Sequence, residues 1–254
     1  MNSSSGKITD NLAHVRDRIE RAAARAGRRS EEITLVAVSK THSARKIQEL
    51  YEAGVRHFGE NRVQERESKL VQLPGVDATW HMIGHLQQNK AARAAGFFHS
   101  IDSVDSIALA EKLERAKIDL TAENTETGKT SNESKIFTPE NRIRVLIEIK
   151  LDPEPAKSGV DAKDAPRLIE AISQLPHLEL RGLMGVPPYS DDPERARPDF
   201  RKLRELRDAL RAQIGPGMLP VLSMGMSLDF EIAIEEGATE LRIGTALFGE
   251  RGEA

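Results

Sequence analysis

Ile33-Thr34-Leu35-Val36-Ala37-Val38-Ser39-Lys40-Thr41 is the stretch on which the fold turns. Residues 33–39 are β-branched and nearly continuous in apolar character, which marks a strand buried on both faces, as in a parallel sheet. Upstream, Leu12, Val15, Ile19, Ala22 and Ala26 recur at three- and four-residue steps along one helix face. Thr9 or Asp10 can cap the start of that helix and Gly27 its end. Downstream, Ser43 can cap a helix that carries Ile47, Leu50 and Tyr51.

The alternation then repeats. Strand-like runs cover residues 55–58, 79–83, 97–101, 143–149, 178–184, 219–223 and 239–243. Helical periodicity follows at about 61–73, 87–95, 106–117 and 162–174, then on a face formed by Phe200, Leu203, Leu206, Leu210 and Ile214, then at about 228–236. With 33–39 this makes eight strands, each but the last followed by a helix. Such a series predicts a (β/α)8 TIM-type barrel with an extra N-terminal helix rather than a doubly wound open sheet. The 254 residues suit one barrel domain spanning 1–254, since these barrels run to roughly 250 residues. Residues 121–141 break the rhythm. They are dense in Thr, Asn, Glu, Ser and Lys, with Ile136 and Phe137 their only large apolar side chains. The segment reads as a flexible polar insertion, a loop between helix and fifth strand on the N-terminal face.

Composition excludes several function classes. A formal net charge of -3 gives no global field for nucleic acid or anionic lipid. No apolar run approaches the roughly 18 residues of a membrane span, and Met1-Asn2-Ser3-Ser4-Ser5-Gly6 lacks the apolar core of a secretory signal. Cysteine is absent, so disulfides, thiolate metal sites and cysteine nucleophiles are absent too. A cytoplasmic protein is expected. No apolar surface helix demands a partner, so a monomer is expected as well.

In a (β/α)8 barrel, chemistry sits where the strands end. Lys40 follows the first strand, and partial desolvation at a barrel mouth favours the neutral amine that carbonyl chemistry requires. On position alone, a lysine snorkelling into solvent is the simpler reading. Ser223-Met224-Gly225-Met226-Ser227 precedes a helix, with Ser227 at an N-cap position, and reads either as an anion site or as ordinary capping. Gly244 and Thr245 follow the eighth strand, where many such barrels bind phosphate. Period-two geometry puts Arg242 on the same side as Gly244, so its guanidinium would point near any phosphate bound there. Burial implies a partner, and the simpler alternative is a structural ion pair with a neighbouring carboxylate. His81 and His85 straddle a strand end without the glutamate of a zincin motif, so no metal site is expected. The helix bearing Arg201, Lys202, Arg204, Arg207 and Arg211 is interleaved with Glu194, Asp199, Glu205 and Asp208 and reads as a solvated face.

Five motifs occur in order: Ala37-Val38-Ser39-Lys40-Thr41, Phe58-Gly59-Glu60-Asn61-Arg62-Val63-Gln64-Glu65, His81-Met82-Ile83-Gly84-His85-Leu86-Gln87-Gln88-Asn89-Lys90, Leu222-Ser223-Met224-Gly225-Met226-Ser227 and Arg242-Ile243-Gly244-Thr245-Ala246-Leu247-Phe248-Gly249. Together they resemble the pyridoxal phosphate homeostasis protein family, over about residues 10–250. The resemblance implies a fold-type III barrel like the N-terminal domain of alanine racemase, holding pyridoxal 5′-phosphate (PLP). By matching position, Lys40 would form the internal aldimine, a Schiff base. Ser227, Gly244 and Thr245 would hold the phosphate with Ser223 nearby, Arg242 would face the pyridine nitrogen, Asn61 would line the pocket and Ile83 would form an apolar wall. The 121–141 insertion departs from the shorter family pattern.

A permanently charged guanidinium at the ring nitrogen disfavours its protonation and makes PLP a poorer electron sink. Only Tyr51 and Tyr189 could serve as a tyrosine base, and Tyr51 falls on a helix behind the barrel. The expected function is therefore reversible, non-catalytic PLP holding in vitamin B6 homeostasis, with PLP-dependent apoenzymes as candidate partners. The alternatives are an amino-acid racemase-like PLP enzyme and a cofactor-free barrel acting on a phosphorylated small molecule.

Overall fold

The computed structural model describes residues 5–127, 142–152, 154 and 158–249. Eight parallel strands follow one another around a closed barrel: β1 Thr34–Val38, β2 His57–Glu60, β3 Thr79–Met82, β4 Ser100–Val104, β5 Ile143–Ile149, β6 Leu178–Gly185, β7 Val221–Ser223 and β8 Glu240–Ile243. Pairing of β1 with β8, Val36 opposite Arg242 and Ala37 opposite Ile243, closes it. The helices are α1 Ser5–Arg25, α2 Ala44–Glu52, α3 Val63–Leu70, α4 Ala91–Phe97, α5 Ile107–Thr127, α6 Ala165–Ser173, α7 Arg197–Ile214, α8 Phe230–Glu235 and α9 Thr245–Phe248.

The predicted extra helix is α1. Its stripe of Ile8, Leu12, Val15, Ile19 and Ala22 is buried against α2, α8 and α9. It ends at Gly27, whose φ of 67° lets Arg28 N–H reach Ala23 O and Gly27 N–H reach Ala24 O, the paired bonds of a glycine-terminated helix. Ala37, Phe58, Trp80, Ile101, Val145, Leu183, Leu222 and Leu241 turn outward into the layer between barrel and helices. The residues adjacent to them along each strand, one position before and after, therefore face the axis. A side chain on Gly182 would meet Val221 O at 1.8 Å, so glycine is what lets β6 and β7 pair.

Several boundaries correct the sequence expectation. The fourth strand is Ser100–Val104, not 97–101, and Phe97 closes α4. Ser100-Ile101-Asp102-Ser103 looks too polar for a buried strand, yet its hydroxyls and carboxylate are satisfied inside the barrel. The second strand begins at His57, because Val55 N–H still bonds Leu50 O at the end of α2. The seventh begins at Val221, since Pro220 has no N–H to pair. A short α9 follows β8, where no helix was expected. The expected loop at 121–141 is helical as far as Thr127, with the Thr121 hydroxyl donating to Lys117 O; the remainder, 128–141, lies outside the described residues.

Candidate functional site at the barrel mouth

Lys40 stands in the turn two residues beyond the end of β1, half-buried at the C-terminal mouth. The neighbouring strand, β8, delivers Gly244 beside Val38: a side chain at Gly244 would come within 3.4 Å of Val38 Cβ. The chain then enters α9 through Thr245, with Leu247 and Phe248 N–H both bonding back to Gly244 O at 2.9 Å.

The turn after β7 is fastened onto β8. Gly225 adopts φ 93°, accepts a bond from Arg242 N–H, and has no room for a side chain because Ala233 Cβ would lie 2.6 Å away. The turn carries Ser227 across to α9, where its Oγ accepts from Ala246 N–H at 3.1 Å. Ser227 is thus not the N-cap of α8; Asp229 holds that position and uses its carboxylate to accept from Met226 N–H at 2.6 Å. Ser227, Gly244 and Thr245 form one rim.

Arg242 lies beneath this rim, 4% exposed. Its guanidinium donates to Ser223 Oγ at 2.6 Å and to Gly185 O at 2.9 Å. The expected direct carboxylate partner is replaced by a hydroxyl and a backbone carbonyl, with Glu240, Asp102, Glu148 and Asp229 acting from farther off. Asn61 is on the other side of β1, against Gly84, in a groove with Arg62, His85 and Lys90. Ile83 packs over Gly59, where a side chain would meet Ile83 Cδ1 at 2.9 Å. The structure therefore brings Ser223 and Arg242 into direct contact and joins Ser227 to the turn after β8, with Lys40 next to them and Asn61 across β1.

Below the mouth the barrel interior is polar. His81 Nδ1 is 2.8 Å from Asp102 Oδ2 and 3.9 Å from Glu240 Oε2, and its Nε2 is 3.0 Å from His57 Nδ1. Ser100 Oγ donates to the other Asp102 oxygen. Burial opposes charge on His81, but Asp102 and Glu240 outweigh it and raise its pKa. Burial, reinforced by His81, pushes His57 down to about 4. The two directions agree with one arrangement: a protonated His81 donates to Asp102 and to His57, and His57 must stay neutral to accept. Burial and the nearby Asp102 also raise Glu240. His85 diverges from His81 and pairs with Asp105 at 3.2 Å near the surface. Tyr189, in the loop after β6, is 79% exposed and donates to Asp191 Oδ1 at 2.8 Å.

Sequence reasoning passed over His57, Asp102, Glu240, Glu60 and Lys69. A signal existed for Asp102 and Glu240. Ser100/Asp102 and Glu240/Arg242 are polar residues at alternate positions within strands, which is how an axial face looks when a barrel interior is hydrogen-bonded.

The family model for "Alanine racemase, N-terminal domain" matches residues 11–252. A pyridoxal phosphate homeostasis protein of Aquifex aeolicus is 42% identical over 242 residues, covering 95% of this chain and 97% of that protein. Its counterpart in Escherichia coli K12 is 39% identical over 247 residues, covering 96% and 97%. Among solved structures, PipY of Synechococcus elongatus with PLP bound superposes with a TM-score of 0.76 at 37% identity, covering 95% of this chain and 100% of PipY. An alanine racemase of Clostridium difficile, 13% identical with a TM-score of 0.68, covers 98% of this chain but only 58% of the racemase, and shares the fold. Aligned end to end with such relatives, and carrying their motifs on a closed eight-stranded barrel, the chain belongs to the pyridoxal phosphate homeostasis protein family, built on the alanine racemase N-terminal domain.

Proposed function

We propose that this protein binds PLP covalently through Lys40 and holds it reversibly for intracellular vitamin B6 homeostasis, without catalytic turnover. The observation that carries this reading is the junction of β1 and β8, which sets a strand-end lysine beside the Gly244-Thr245 turn with Arg242 buried below. The donor set fits the cofactor. A lysine amine suits an aldehyde, two hydroxyls and a helix-opening turn suit a phosphate, and a guanidinium suits an unprotonated pyridine nitrogen. When bound, PLP supplies an electrophilic aldehyde carbon. Lys40 contributes the nucleophile, Ser227, Gly244 and Thr245 the phosphate contacts, Arg242 the ring-nitrogen partner with Ser223 orienting it, and Asn61 the pocket wall. The PLP-bound PipY structure supports the cofactor assignment.

A holding role rests on two features. Arg242 keeps positive charge where a catalytic site would want a proton on the ring. Tyr51 and Tyr189 are the only tyrosines, one behind the barrel on α2 and the other turned to solvent. The absence of cysteine fits a cytoplasmic location. PLP-dependent apoenzymes would be the recipients.

The purified protein is expected to absorb in the visible, and Lys40→Ala to lose that band and retain PLP far more weakly. A colourless protein, or a Lys40→Ala variant that keeps PLP as tightly as the parent, contradicts the assignment. Across a panel of amino acids no sustained racemisation is expected; robust multiple turnover would contradict the holding role.

A further inference from the structure

Two buried charges, Glu60 and Lys69, and the partly buried Glu65 converge on the chain around Lys40. Lys69, on α3, is itself 5% exposed, and its ammonium donates to Ser39 O at 2.8 Å, Glu60 Oε1 at 2.6 Å and Glu65 Oε1 at 2.9 Å. These three acceptors match the three donors an ammonium has. Glu60, wholly buried at the end of β2, also accepts from Ser39 Oγ at 2.6 Å. Glu65 accepts from Thr41 N–H. The residues on both sides of Lys40 are therefore held, Ser39 through its carbonyl and hydroxyl and Thr41 through its amide.

Thr41 is where the hold matters. Its φ is 66°, a left-handed conformation that a β-branched residue adopts only where its surroundings impose it. Released from Glu65, Thr41 would relax to an extended or right-handed conformation, and the direction of the preceding side chain would change with it. None of Glu60, Glu65 or Lys69 sits among the residues of the phosphate rim or on the axial face. Lys69 and Glu65 reach the backbone of residues 39 and 41, and Glu60 holds the Ser39 hydroxyl and the Lys69 ammonium.

We infer that Glu60, Lys69 and Glu65 form a positioning clamp that fixes the backbone either side of Lys40 and so aims its amine into the barrel mouth. The inference rests on Lys40 being the attachment point for PLP. The clamp acts through Lys40 and touches neither phosphate nor ring. Burial raises the pKa of Glu60, against the pull of Lys69 and Ser39. That fits a carboxylate kept in place by its cation and hydroxyl rather than by water.

Glu65 provides the cleanest test, because it is only partly buried and α3 tolerates alanine. With full-length protein reconstituted with PLP, three quantities are read: PLP dissociation, the pH midpoint of the visible band, and the melting temperature without PLP. Glu65→Ala is expected to weaken PLP retention about tenfold, from lost pre-organisation, and to move the pH midpoint. Glu65→Gln keeps an acceptor for Thr41 N–H and is expected to restore most of both. Lys69→Met is expected to follow Glu65→Ala, and Lys69→Arg to recover part of the loss. A lowered melting temperature with unchanged PLP retention and pH midpoint would overturn the clamp and leave the three residues a structural role. Equal loss in Glu65→Ala and Glu65→Gln would also overturn it. Mapping the reduced adduct in the parent protein separates this failure from failure of the Lys40 assignment: an adduct on Lys40 with no effect of Glu65→Ala rejects the clamp alone.

Discussion

Arg242 shows how far single residues could be read in advance. Its period-two alignment with Gly244 and its need for a partner were legible in sequence, but that partner proved to be Ser223 Oγ and Gly185 O. Both come from other strands, and no spacing rule links residues 185, 223 and 242. Arg242→Glu would put a fifth acid near Glu240, Asp102, Glu148 and Asp229 and is expected to cost about 3–5 kcal/mol of stability. It should also allow ring-nitrogen protonation and shift the visible band of bound PLP. An absorption spectrum and PLP affinity unchanged from the parent would show that Arg242 does not face the ring. The histidines make a separate prediction. Burial is the main cause holding His57 and His99 down to about 4, and His99 Nδ1 also accepts from Trp80 N–H. The unfolded chain therefore binds more protons between about pH 6.5 and about 4, so these two groups make stability fall as pH drops through that window. Melting curves should show the parent losing stability relative to His57→Gln as the medium is acidified. Parallel curves would contradict the assignment.

At the scale of elements, strands with one apolar and one hydrogen-bonded face were the hardest to place. Continuous apolar runs such as β1 and β5 could be located closely, and 143–149 coincides with the observed strand. β4 could not, because Ser100 and Asp102 belong to a network whose other members, His57, His81 and Glu240, come from three further strands. The basic face of α7 was read only in part: Arg201 and Lys202 are exposed, as a solvated face requires, but a contact made by its arginines was missed. Arg197, Arg201 and Arg204 converge on the buried carboxylate of Glu236 just beyond α8, at 3.3, 3.0 and 2.8 Å. One side of that face docks onto the end of α8 while Arg201 and Lys202 remain open to solvent. Glu236→Ala is expected to destabilise the fold by about 1–3 kcal/mol, discounted for the partial exposure of the arginines. A urea titration that returns the parent midpoint would remove Glu236 from that role.

For the whole molecule, the alternation of eight strands with helices was enough to reach a closed barrel and its chemical end. Ser227, Gly244 and Thr245 were picked out because loops after the last two strands of such barrels often receive phosphate, and the structure joins Ser227 to the turn after β8. What local sequence could not reveal was the inside: a polar column under Arg242, and the charges behind Lys40. Among the described residues no helix is long and apolar enough to cross a membrane. The large exposed apolar side chains there, including Val71, Ile118, Val186 and Leu228, are dispersed over separate elements. Sedimentation is accordingly expected to give a monomer of about the chain mass of 28.1 kDa; a concentration-independent dimer would contradict that expectation. The central claim is that Lys40 carries the cofactor. Its most direct test is borohydride reduction of the PLP-loaded protein followed by peptide mass mapping. The account predicts one phosphopyridoxyl group, on Lys40; a group on any other lysine, or none, would contradict it.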